Sequence, residues 1–158
     1  MRSSALIPIK RKGHHFMEPS IEIVEERVLA RLYGERAAPP ITVTLGASFV
    51  SLSDNALEAE YVGTAAFLNP AGQVQGGMLC AMLDDVTATL VTSSLGEGEH
   101  CATLNLNTSF LRPAKAGKLI GRATLVRRGR GICNVNGELW QDDKLVATAT
   151  AVCMIVVR

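Results

Sequence analysis

Two adjacent aspartates, Asp84 and Asp85, follow the run Met78-Leu79-Cys80-Ala81-Met82-Leu83 and precede Val86-Thr87-Ala88-Thr89-Leu90. A carboxylate in such a segment loses water when the segment packs, and desolvation opposes its ionisation. An unpartnered ionised aspartate in an apolar medium costs several kcal/mol, a large share of a domain's total stability. Asp84 is therefore read as a functional carboxylate, with an aspartate satisfied by hydroxyls or amides at a subunit contact as the alternative. Neighbouring helical residues point about 100° apart. Asp85 is accordingly read as the solvated or structurally paired member. Upstream, "NPAGQVQGG" ends in Gly76 and Gly77, which lack a Cβ and let a ligand reach their N–H groups. Those groups open a helix, where N–H donors have no internal acceptor and carry positive partial charge. Such donors can stabilise an oxyanion.

The element that must carry these groups is a helix from Gly76 to about Ser94, a stretch without proline and nearly without charge. Side chains three and four apart share a face. Leu79, Met82, Leu83, Val86 and Leu90 form the large face, expected to meet a sheet. The line through Asp84 holds Gly77, Cys80, Ala81, Thr87, Ala88 and Val91, so Asp84 is expected at a crevice facing a ligand or a second subunit.

Around that helix the pattern has mostly period two, the mark of strands. Strands are expected at Ile41–Leu45, Ala47–Leu52 and Ala56–Val62, with a turn at Ser53-Asp54-Asn55. In "CATLNLNTSFLRP" one face carries Ala102, Leu104, Leu106, Thr108 and Phe110, and the other Thr103, Asn105, Asn107 and Ser109. "GKLIGRATLVRRG", "ICNVNGELWQ" and "KLVATATAVCMIVV" come next, joined at Gly129-Arg130-Gly131 and at Asp142-Asp143. The last strand has one face of Leu145, Ala147, Ala149, Ala151, Cys153 and Ile155. Trp140 and Phe110 are read as core. Residues 18–33 place Ile21, Val24, Val28, Leu29 and Leu32 at helical spacing, with Pro19 in the first turn and Gly34 as C-terminal cap. The fold class is α+β: an antiparallel sheet wrapped on one buried helix, its last strands forming a meander, plus an N-terminal amphipathic helix.

The 158 residues suit one domain, expected over 18–158, with 1–17 a disordered leader and Met17 a possible start. His14 and His15 in that leader are given no function. A composition of 47% hydrophobic and 20% charged residues indicates a globular chain. A formal charge of +1 argues against nucleic acid as partner. Cys80, Cys101, Cys133 and Cys153 lack metal-ligand spacing and read as reduced core thiols of a cytoplasmic protein. No metal or cofactor is expected. No apolar run reaches the length of a membrane-spanning helix.

The spacing N-x5-[HQ]-G-G-x7-D, here Asn69, Gln75, Gly76, Gly77 and Asp84, resembles the hot-dog-fold acyl-CoA thioesterases of the phenylacetate-degradation type, within the 4-hydroxybenzoyl-CoA thioesterase-like superfamily. "TLNLNTSFLRPAKAG" and "RRGRGICNVNGELWQDDKLVATATAVCMIV" are similar to the strands of that family. The resemblance spans roughly Leu45 to Val157. It implies a hot-dog fold with a five- or six-stranded antiparallel sheet around the long helix. It also implies a homodimer joined edge to edge, often a dimer of dimers, with active sites at the dimer interface. By the same resemblance Asp84 is the catalytic nucleophile or general base, and the Gly76 N–H polarises the thioester carbonyl. Asn69 holds the water or thioester, and Thr103 positions the water from the neighbouring subunit. Gln75 stands where many relatives have histidine, and an amide can replace a histidine that only hydrogen-bonds. Gly77 lets substrate approach. CoA is anionic, so Arg112, Lys115, Arg127, Arg128 and Arg130 are candidate contacts.

The same residues support two other readings. A non-catalytic hot-dog module that binds acyl-CoA as a sensor is favoured if Gln75 marks lost catalysis. A hot-dog dehydratase needs a catalytic histidine, and outside the leader only His100 is present, in a Gly/Glu loop.

Overall fold

The computed structural model describes residues 21–34 and 37–157. The expected leader, with His14 and His15, and the Pro19 turn lie outside the described residues. In chain order the elements are α1 (Ile21–Tyr33), α2 (Pro40–Thr44), β1 (Ser48–Leu52), β2 (Ala56–Gly63), a short 3-10 turn at Ala65–Phe67, α3 (Gly76–Thr92), β3 (Glu99–Phe110), β4 (Gly117–Arg128), β5 (Ile132–Gln141) and β6 (Lys144–Val157). All six strands form one antiparallel sheet in the order β1-β2-β4-β5-β6-β3. β4, β5 and β6 are the expected meander, and β3 forms one edge.

α3 packs across β2 to β6. Its large face is the one that the spacing indicates: Leu79, Met82, Leu83, Val86 and Leu90 are all buried. The inward positions of β6 meet them with small side chains, since Ala147, Ala149, Ala151 and Cys153 are buried. Short residues there let the helix axis approach the sheet, as close packing requires. The hairpin turns match their sequences. Asp142 and Asp143 both take positive φ, 49° and 58°, as a two-residue hairpin turn demands. Gly34 caps α1 with φ 60° and donates its N–H to the Ala30 carbonyl at 2.9 Å.

Three expectations change. Residues 41–44 belong to helix α2, not to a strand, although Ile, Thr and Val favour strands. Pro40 is pre-set for a first helical turn, and the Leu45 N–H reaches the Ile41 carbonyl at 2.9 Å. The helix form also lets Thr42 bond Asp85, so tertiary context overrides local preference. The alternation of β3 breaks at Leu104, where the register against β6 shifts between Thr103 and Asn105. One extra residue reverses the faces of the remainder of the strand. Leu104 is left 55% exposed, and Thr103 turns inward. Finally, Trp140 and Phe110 are not core. Phe110 is 54% exposed at the end of β3. Trp140 alternates with buried Leu139 and lies half-buried on the opposite side of β5, its ring centroid 5.7 Å from the Arg122 guanidinium.

Candidate active site

Asp84 sits at mid-helix on the small-residue side of α3 and is half-buried. Its Oδ1 accepts a hydrogen bond from the Thr103 hydroxyl of β3 at 2.8 Å. The β3 bulge makes this possible by letting Thr103 and Leu106 both face α3. Thr103 is thereby held to the aspartate of its own chain. Asp84 lines a pocket of about 270 Å³ with Tyr33, Ile41, Thr42, Ala88 and Thr89.

Asp85 has a different environment. Its two carboxylate oxygens accept from Thr42 Oγ1 at 2.7 Å and Tyr61 Oη at 2.8 Å. It is the structurally paired member, tying α3 to α2 and to β2. Burial raises its pKa above the ordinary carboxylate value. The two hydroxyl bonds oppose that rise, and the nearby Asp84 charge adds to it. The Tyr61 phenol is pushed well up, first by burial and then by the Asp85 charge. Tyr61 reaches Asp85 by lying over Gly121, where an added Cβ would come within 2.6 Å of its ring.

The other candidate groups gather at the start of α3. A cleft of about 400 Å³ is lined by Asn69, Gly76, Leu79, Phe110 and Arg112, with Pro113 at its edge. Among the described residues the Gly76 and Gly77 N–H groups have no backbone acceptor outside the helix. As the first two helical residues they have none inside it either. Gly76 lies against the Phe110 ring, and an added Cβ would sit 3.1 Å from Cζ. Gly77 faces open space. Gln75 is the exposed residue before the helix, and its carbonyl accepts the Met78 and Leu79 N–H groups. Asn69 Oδ1 accepts from the Ala71 and Gln73 N–H groups at 2.9 and 3.1 Å, which shapes the loop. Its Nδ2 amide is the end that can donate to a ligand.

The structure thus divides the expected set. Asn69, Gln75, Gly76, Gly77 and Arg112 cluster at one end. Asp84, bonded to Thr103 of β3, stands eight residues along the helix from Gly76, about 12 Å away at 1.5 Å per residue. Arg128 hydrogen-bonds to Ser94 Oγ, just past the far end of α3, and Arg130 is exposed in the β4–β5 turn. Arg112 Nη1 donates to the Leu145 carbonyl at 2.8 Å, which holds it beside the Gly76 cleft. Thr42, Tyr61, Tyr33 and Phe110 join the site's surroundings, although sequence spacing does not single them out for it. The available signal for Tyr61 is an inward strand position bearing a polar tip.

The strand thiols are close together: Cys133 and Cys153 face each other across β5 and β6, and both are buried. A hydrogen bond from Cys101 lowers the Cys153 pKa to about 7, while the same contact raises Cys101. Among the described residues no group of three or more His, Cys, Asp or Glu could hold a metal ion, and no helix is long and apolar enough to cross a membrane.

A six-stranded antiparallel sheet wrapped on one central helix is the hot-dog fold. Residues 71–148 match the Thioesterase superfamily. A phenylacetic acid degradation-related protein of Ralstonia eutropha JMP134 is 61% identical, over 80% of this chain and 98% of that one, with a TM-score of 0.77. A Mycobacterium tuberculosis protein, an esterase by name, is 31% identical over 94 residues, 58% of this chain and 67% of that protein. A thioesterase of Haemophilus influenzae shares the fold at 20% identity and a TM-score of 0.72, covering 89% of this chain and 92% of that one. The chain belongs to the thioesterase superfamily and is a thioester hydrolase.

Proposed function

We propose that the protein is a cytoplasmic acyl-CoA thioesterase, working as a homodimer or a dimer of dimers. Asp84 acts as nucleophile or as general base on water, and the Gly76 N–H stabilises the carbonyl oxygen as it becomes an oxyanion. Attack forms a C–O bond at the carbonyl carbon and breaks the C–S bond. Water attack gives the free acid directly, whereas carboxylate attack gives an Asp84 anhydride that water then hydrolyses. In both cases CoA leaves as a thiolate that needs little acid assistance. Thr103 orients the Asp84 carboxylate. The Asn69 amide holds the thioester or the water. Gln75 hydrogen-bonds at the entrance, Gly77 leaves room for substrate, and Arg112, Arg128 and Arg130 meet the anionic CoA.

One observation carries this reading: the Thr103-bound carboxylate in its small pocket lies about 12 Å along α3 from the open N–H groups. Reacting atoms must approach to about 3 Å. A carbonyl held at Gly76 of one chain is therefore out of reach of that chain's own Asp84. A second chain related by two-fold symmetry supplies the missing carboxylate, as an isologous contact allows. Thiol release from a panel of acyl-CoAs tests the activity, with wild type compared against Asp84→Asn. The expected result is turnover by the wild type and its loss in a variant of unchanged oligomeric state. A binding module is the second reading, favoured by the inability of Gln75 to titrate. CoA binding without hydrolysis across the whole panel would select it.

A further inference from the structure

We propose that Tyr33 is a specificity-determining residue, a stop that closes the acyl pocket beside Asp84 and limits the length of the acyl group. This rests on the acyl-CoA reading above. Tyr33, Pro39 and Thr92 line the 270 Å³ pocket at Asp84 and also a second cleft of about 560 Å³ toward Gly96, Glu97 and His100. These shared residues form the wall between the two spaces, and Tyr33 is their largest side chain. At about 30 Å³ for each water-sized group, the first pocket holds roughly nine heavy atoms. A compact acyl group fits that space, and a long alkyl chain needs the second cleft as well.

The ring is held from three directions. Its centroid is 6.4 Å from that of Phe49, with the planes tilted by 55°. Its hydroxyl hydrogen-bonds with Thr42 and Thr89. Thr42 is itself fixed by its 2.7 Å bond to Asp85. Asp85 is thus a positioning residue that acts through Thr42 on the wall of the pocket. Tyr33 and Thr42 both precede residues 71–148, the segment shared with the superfamily. The length limit is therefore set by residues that precede Asn69, Gly76, Asp84 and Thr103 in the chain.

The test is kcat/KM across straight-chain acyl-CoAs from acetyl to dodecanoyl, plus benzoyl-CoA, for wild type, Tyr33→Ala and Tyr33→Phe. Removing the ring should shift the preference toward long chains, raising the dodecanoyl-to-hexanoyl ratio by about tenfold or more. Tyr33→Phe, which keeps the ring, should retain the wild-type limit. An unchanged length profile in a folded Tyr33→Ala variant overturns the inference. If that variant does not fold, Ala88→Leu narrows the same pocket from α3 without removing the ring. It should lower the largest acyl group accepted, and an unchanged profile there overturns the inference equally. Wild-type protein inactive on the whole panel would refute the acyl-CoA reading and this inference together, whereas turnover with unaltered length preference refutes this inference alone.

Discussion

The two working ends of α3 are built by opposite means. At its start the candidate groups come from backbone: Gly76 and Gly77 present N–H groups beside Phe110 and Arg112, and among the described residues no carboxylate lines that cleft. Two turns on, it comes from side chains: Asp84 is oriented by Thr103, and Asp85 is tied down by Thr42 and Tyr61. Among the described residues, the first end offers N–H donors suited to an oxyanion but no carboxylate, and the second offers a carboxylate but no open helix-start N–H groups. On the function proposed above, each chain carries two half-sites separated by about 12 Å, a spacing set by eight residues of α-helix, and a complete site joins one half from each of two chains.

The sharpest way to break the comparison is to disable each half alone. Asp84→Asn removes the nucleophile or base while preserving shape, and kcat should fall about 10³-fold, as for loss of a general base or nucleophile. A steady-state thiol-release assay measures it. Gly76→Pro deletes the donor N–H, and the exposed Phe110 ring, 3.1 Å from the added Cβ, must give by a few tenths of an ångström. Proline suits a first helical position, and Gln75 already has φ −58° and ψ 135°, as a residue before proline requires. The expected loss is about 10²-fold or somewhat more, within the range for one oxyanion donor. Near-wild-type kcat in either variant would remove that half-site from the account.

A smaller effect separates Asp84 from its neighbour. The folded-state pKa of Asp85 is raised above its ordinary value of 3.8, chiefly by burial. The folded protein therefore binds that proton more tightly than the unfolded chain does. The resulting stability is fully present below about pH 3.8 and is lost as pH rises through the raised pKa. Asp85→Asn has no such titration. Wild type should lose a few degrees of Tm relative to Asp85→Asn between about pH 3.5 and 7, at roughly 2–4 °C per kcal/mol for a chain of this size. Melting curves of the two proteins across that range check the sign, and a gap that moves the other way contradicts the clamp.

Much of this is legible in the residues. Helical spacing identifies the buried face of α3, and hence the side on which Asp84 emerges. Period-two patterning locates the strands, and Asp142-Asp143 marks a turn. The features that spacing misses depend on contacts distant in sequence. Residues 41–44 look like a strand until Pro40 and the Thr42–Asp85 bond are considered together. The bulge at Leu104 inserts one residue that alternation alone does not reveal, and it decides that Thr103 rather than Leu104 faces the helix. Phe110 is apolar and reads as core, yet it covers Gly76 from a strand end. The adjacency of two aspartates suggests a paired Asp85, but its partners Thr42 and Tyr61 lie 43 and 24 residues away.

Subunit complementation tests the two-chain site most directly. Asp84→Asn and Gly76→Pro proteins, each strongly impaired alone, are unfolded together, refolded as a mixture and assayed for thiol release. If a site joins Gly76 of one chain to Asp84 of the other, each mixed dimer regains one intact site. Random pairing then returns about a quarter of wild-type activity, since half the dimers are mixed and each carries one of two sites. A mixture no more active than the sum of its separate components would contradict the account, because each chain would then complete its site alone.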